Sequence, residues 1–81
     1  MQVIIVATRT CSHRRLLEGL LSDGEVPYDV RFFEDHPGLV EQFDLHLSPN
    51  VLLDEKVIFR ATDEHRVPTE TQIDEMRSRI E

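Results

Sequence analysis

The residues best suited to chemistry lie together at Thr10-Cys11-Ser12-His13-Arg14, with Arg9 just before them and Arg15 just after. Cys11 is the only cysteine in the chain. A sulfur placed where a buried strand passes into a helix has a physical reason to react, because unpaired backbone N–H groups and the helix dipole favour thiolate over thiol. Arg14, one turn further on, and His13 beside it are candidates for tuning that thiolate, and Arg9 and Arg15 are candidates for binding an anionic group. Two bland readings compete with these. Free cysteine often serves as a small apolar core residue, and the arginines could simply solvate a helix start. Against them, basic residues at a helix start oppose its dipole, and Thr10, Ser12 and His13 are polar neighbours rather than core formers. A Ser48-Pro49 pair further along is placed to face the turn.

Cys11-x-His13 supplies two candidate metal ligands, but zinc takes three or four protein ligands. His36, His46 and His65 stand in separate segments without ligand spacing, so no metal is expected.

The elements that must position these residues read as follows. Residues 2–7 form a strand buried on both faces, since Val3 to Ala7 is a continuous β-branched and apolar run. Thr10 is the expected N-cap of a helix whose Leu16, Leu17, Leu20 and Leu21 share one face, and Gly24 is placed to end it. A second strand, Tyr28 to Phe33, alternates Tyr28, Val30 and Phe32 against Asp29 and Arg31, as an edge strand does. With a helix between them, the first two strands are expected to be parallel neighbours in a βαβ unit. Pro37 suits the first turn of a short helix carrying Leu39, Val40 and Phe43. Val51-Leu52-Leu53 and Val57-Ile58-Phe59 form a hairpin turning at Asp54-Glu55, although such a turn prefers Gly at its second place. Thr69 and Gln72 form a capping box opening a last helix with Ile73, Met76 and Ile80 on its apolar stripe. Its acids Glu70, Asp74, Glu75 and Glu81 are expected to face water. The order is βαβαββα, a mixed α/β chain.

Composition bounds the function. With 81 residues, 40% hydrophobic and 31% charged, the chain is a single domain spanning 1–81 with one small core. The longest apolar run near the start is too short to cross a membrane and no basic segment precedes it. One cysteine allows no internal disulfide, which points to a reducing, cytoplasmic setting. The net charge of −7 argues against nucleic acid as partner. Residues 1–17 carry a formal +3 and no acid, so −10 falls on residues 18–81 and a small positive patch coincides with Cys11.

The element order, the cysteine after the first strand, the run Phe43 to Val57 through Ser48-Pro49, and Val67-Pro68 before the last helix resemble the thioredoxin and glutaredoxin superfamily. The resemblance implies a thioredoxin-like fold, with a four-stranded mixed sheet and three helices. It implies that Cys11 is the catalytic nucleophile and that Pro49 is the proline that is cis in that family. It also implies that Ser48 and Pro49 bind substrate, the Ser48 backbone pairing with an extended strand. Asp44 stands where relatives often have Gly, and Asp tolerates a left-handed backbone. Arg14 occupies the place of the second, resolving cysteine. Three routes follow: a monothiol cycle resolved by glutathione or another small thiol, a lasting link through Cys11 to a partner, or no redox role. Glutathione is the candidate co-substrate, with no other cofactor expected, and its carboxylates suit Arg9, Arg14 or Arg15. Ala61-Thr62-Asp63-Glu64 lacks the Gly-Gly element by which glutaredoxins hold its glutamyl end. The function implied is monothiol thiol–disulfide exchange with a small thiol or a partner protein. The alternative is a redox-inactive module that binds a peptide at the proline loop.

Overall fold

The computed structural model describes residues 2–80; Glu81, assigned above to the polar side of the last helix, lies outside them. The elements are β1 (Val3–Ala7), α1 (Ser12–Asp23), β2 (Tyr28–Phe32), α2 (Pro37–Gln42), β3 (Asn50–Leu53), β4 (Lys56–Phe59) and α3 (Glu70–Ile80). The sheet order is β2-β1-β3-β4. β1 runs parallel to β2 and antiparallel to β3, and β3 and β4 form the hairpin. This is the expected thioredoxin-like βαβαββα arrangement, with a four-stranded mixed sheet and three helices.

β1 occupies the interior of the sheet because both of its faces are apolar. Val3, Ile5 and Ala7 pack with Leu17 and Leu21 of α1 and with Ile73 and Met76 of α3. Ile4 and Val6 face the opposite layer, where Leu39, Val40 and Phe43 of the α2 region cover Leu45, Leu52 and Val57. β2 lies at an edge, as its alternation predicts, and its five residues are all half-buried rather than alternately buried and exposed. Phe33 extends the pairing by one bond, donating its N–H to Ala7 O at 2.9 Å.

Two details of α1 differ from the sequence expectation. Thr10 does not cap the helix: Cys11 is the N-cap, in extended backbone conformation and with no side-chain cap bond. The reason is a tight turn in which the Cys11 N–H reaches Thr8 O at 3.2 Å, which leaves Thr10 inside the turn. Leu16 is 60% exposed, whereas Leu17 and Leu21 are fully buried. At about 100° per residue Leu17 and Leu21 lie about 40° apart at the centre of the buried face, half-buried Leu20 stands at its margin, and Leu16 falls about 40° beyond Leu20, toward solvent.

α1 and α2 end in the same way. The Glu25 N–H bonds to Ser22 O and the Val26 N–H to Leu21 O, while the Asp44 N–H bonds to Glu41 O and the Leu45 N–H to Val40 O. Glu25 (φ 59°) and Asp44 (φ 53°) take the left-handed conformation these motifs require. Gly24 is the C-cap of α1, as expected, but glycine is needed there for packing rather than for a left-handed turn: its φ is −83°, and a Cβ there would stand 2.7 Å from Ile73 Cγ2. The hairpin turns through Asp54 (φ 49°) and Glu55 (φ 70°), both left-handed as a two-residue turn of this kind demands. The capping box forms as expected, with the Thr69 N–H donating to Gln72 Oε1 at 2.8 Å and the Gln72 N–H to Thr69 Oγ1 at 3.3 Å. Among the described residues no helix is long and apolar enough to cross a membrane.

Candidate functional site

The site forms where β1 ends and β3 begins, because antiparallel pairing brings Val6 opposite Asn50. That register places the turn after β1 beside the loop before β3. Cys11 is free and half-exposed at the start of α1. Its turn is joined to the proline loop by one hydrogen bond, from the Thr8 N–H to Ser48 Oγ at 3.0 Å. The Ser48-Pro49 peptide bond is cis. Ser48 is only 7% exposed and Pro49 is fully buried.

Both polar groups of Ser48 that could receive a donor are engaged. Its hydroxyl oxygen accepts from Thr8, and its carbonyl accepts from Arg66 Nη1 at 3.3 Å. Arg60 braces the approach to the same loop, donating to Phe43 O at 2.9 Å and Asp44 O at 2.5 Å. Beneath the loop, fully buried Asn50 donates to Leu47 O at 2.6 Å and accepts the Ala61 N–H at 3.1 Å.

The arginines around Cys11 carry counter-charges. Arg14 Nη1 lies 2.5 Å from Glu18 Oε2, and Tyr28 Oη donates to the other oxygen of Glu18 at 3.2 Å. The Arg14 guanidinium also covers the Phe32 ring at 5.3 Å, and its Nε is buried without a hydrogen-bond partner among the described residues. Arg9 covers the same ring at 4.7 Å and pairs with Asp35, while its backbone N–H donates to Glu34. Arg15 is exposed and His13 half-exposed. Two of the three arginines that make up the positive patch are thus matched by carboxylates from α1 and from the segment after β2.

Of the residues singled out in the sequence, Ser48 and Pro49 belong to the loop bonded through Thr8 to the turn that carries Cys11, with Arg9 and Arg14 stacked on Phe32 at the same end of the sheet. Glu18, Glu34, Asp35, Asn50 and Arg66 were not singled out. Glu18 was within reach of a sequence argument, since Arg and Glu four apart on a helix are neighbours. Asn50 carried a signal too, as a polar residue opening an otherwise apolar strand. Arg66 carried none, because only the path of the loop before α3 brings it to Ser48. Among the described residues no group of three or more His, Cys, Asp or Glu side chains converges as a metal site would need. Comparison with protein-family models, curated proteins and solved structures returns no match.

Proposed function

We propose that this protein performs thiol–disulfide exchange through Cys11 as a monothiol relative of thioredoxins and glutaredoxins. The observation that carries the reading is a free, half-exposed thiol at the start of α1, hydrogen-bonded through its own turn to a loop with a cis proline. Sγ of Cys11, as thiolate, attacks one sulfur of a substrate disulfide. A new S–S bond joins Cys11 to that sulfur, the old bond breaks, and the second sulfur leaves as a thiolate. No second cysteine is present to resolve the mixed disulfide. An external thiol, with glutathione the natural candidate, attacks it, is oxidised to a disulfide with the substrate sulfur, and returns Cys11 to the thiolate. The setting proposed is the reducing cytoplasm, where a lone exposed thiol stays reduced.

The second reading is a redox-inactive module that binds a partner beside the proline loop. It draws on Arg14, whose half-buried pairing with Glu18 fills the position three residues after Cys11. Ser48, nearly buried and already bonded at both its hydroxyl and its carbonyl, counts against strand pairing at that residue in either reading, and the half-exposed Cys11 thiol is what favours exchange.

The test is incubation with glutathione disulfide at neutral pH, followed by intact-mass analysis and a glutathione-coupled turnover assay. The expected result is one glutathione adduct on the wild type, none on Cys11→Ser, and turnover only in the wild type. Turnover that survives in Cys11→Ser would remove Cys11 as the nucleophile. No adduct on the wild type, together with binding of a reduced peptide, would favour the second reading.

A further inference from the structure

Asn50 is a polar side chain at a position that otherwise calls for an apolar one. It opens β3, whose other residues are Val51, Leu52 and Leu53, and all four are buried. A buried amide costs desolvation unless its donors and acceptor are matched, and here they are matched across three segments. Nδ2 donates to Leu47 O in the proline loop at 2.6 Å and to Val6 O near the end of β1 at 3.4 Å. Oδ1 accepts the N–H of Ala61, beyond β4, at 3.1 Å.

From that amide a continuous line of bonds leads to the sulfur-bearing turn. Leu47 is followed by Ser48, whose hydroxyl accepts the Thr8 N–H at 3.0 Å, and Thr8 O accepts the Cys11 N–H at 3.2 Å. Asn50 also stands opposite Val6 in the β1–β3 register, so it braces the exit of β1 directly. We propose that Asn50 is the positioning residue of the Cys11 site, holding the Leu47–Pro49 loop at the exit of β1 and, through Ser48, fixing the turn from Thr8 to Cys11. It touches no reacting atom. Its effect on chemistry rests on Cys11 acting in exchange as proposed above, whereas its effect on the turn is read independently of any activity.

Amide hydrogen exchange by NMR on the whole chain tests the assignment. Asn50→Asp keeps the size and the acceptor for Ala61 but loses the donors to Leu47 and Val6. The expected result is faster exchange at the Thr8 amide by about tenfold, with the amides of Ile5 and Leu21 protected as in the wild type. Ser48→Ala, which leaves the bonds of Asn50 in place and removes only the acceptor for Thr8, is expected to reproduce the Thr8 effect. Unchanged Thr8 protection in either variant overturns the proposal. So does equal acceleration at Thr8, Ile5 and Leu21, which marks a general loss of stability. If Asn50→Asp does not fold, the same comparison is made in Asn50→Ser, whose hydroxyl is too short to span both carbonyls.

The functional half is read by two rates in the folded variant. Reaction of Cys11 with a peptide disulfide is expected to fall about tenfold, while alkylation by iodoacetamide, a small neutral probe that needs no docking, changes less than about twofold. Unchanged peptide rates would confine Asn50 to a structural role. If the wild type itself reacts with no disulfide, the exchange reading fails and amide exchange alone decides the assignment of Asn50.

Discussion

Arg14 shows why residue type and spacing do not settle a role. Three residues after Cys11, on the first turn of α1, it is placed to lend positive charge to the sulfur, yet its guanidinium is turned to Glu18 and laid over Phe32. Both partners of that pair are largely buried, with 18% and 25% of their side chains exposed, so water screens the attraction less than at an open surface. Glu18→Gln leaves Arg14 without a counter-charge and Tyr28 with a weaker acceptor. The expected cost in urea denaturation is about 1 kcal/mol. The same substitution is expected to raise the rate of Cys11 with an anionic disulfide over a cationic one by a few-fold at low salt, a gain that high salt removes. An unchanged ratio would show that the charge of Arg14 does not reach the sulfur. The positive patch was legible as a count of charges along the first 17 residues. Its neutralisation was only half legible: Glu18 follows from helical spacing, while Asp35 meets Arg9 only because β2 lies parallel to β1.

At the scale of elements, helix and strand identities follow from periodicity, and the capping box of α3 was written openly in Thr69 and Gln72. Helix stops were harder to read, because glycine has two distinct uses. The chain puts Gly24 where α3 crowds the backbone and Glu25 where the backbone turns left-handed. Exchanging these roles separates the two causes. Gly24→Ala is expected to destabilise by about 1–3 kcal/mol, because its Cβ must displace Ile73. Glu25→Gly is expected to stabilise by about 0.5–1 kcal/mol, relief of the left-handed strain outweighing the extra freedom of the unfolded chain. Thermal melts of the two variants check both signs. A stabilising Gly24→Ala would mean that Ile73 has room to move aside.

On the scale of the whole molecule, the acidic excess makes the response to pH informative. Among the carboxylates, Asp29 on edge strand β2 is held below its ordinary value of 3.8, first by the hydrogen bond from Arg31 and then by the N–H of Val30. A depressed folded value means that the contribution of Asp29 is complete above the ordinary carboxylate range and is lost as pH falls through 3.8 and below. Wild type is therefore expected to exceed Asp29→Asn in stability at neutral pH and to converge with it in acid. Chemical denaturation across that range reads the difference, and a gap that stays constant with pH would remove the linkage.

What the sequence determined by itself was a set of features fixed by local physics: the doubly apolar β1, the alternating edge strand β2, the hairpin at Asp54-Glu55, the capping box that opens α3, and a lone thiol at a strand-to-helix junction. Tertiary structure decided which groups meet across distance. The β1–β3 register puts Val6 opposite Asn50, and only then can Thr8 bond Ser48 and the amide of Asn50 bind three segments at once. Local preference acts over a few residues through backbone sterics and side-chain period. The surroundings of Cys11 are built from chain segments some 40 residues apart, and strand pairing and close packing alone bring those together.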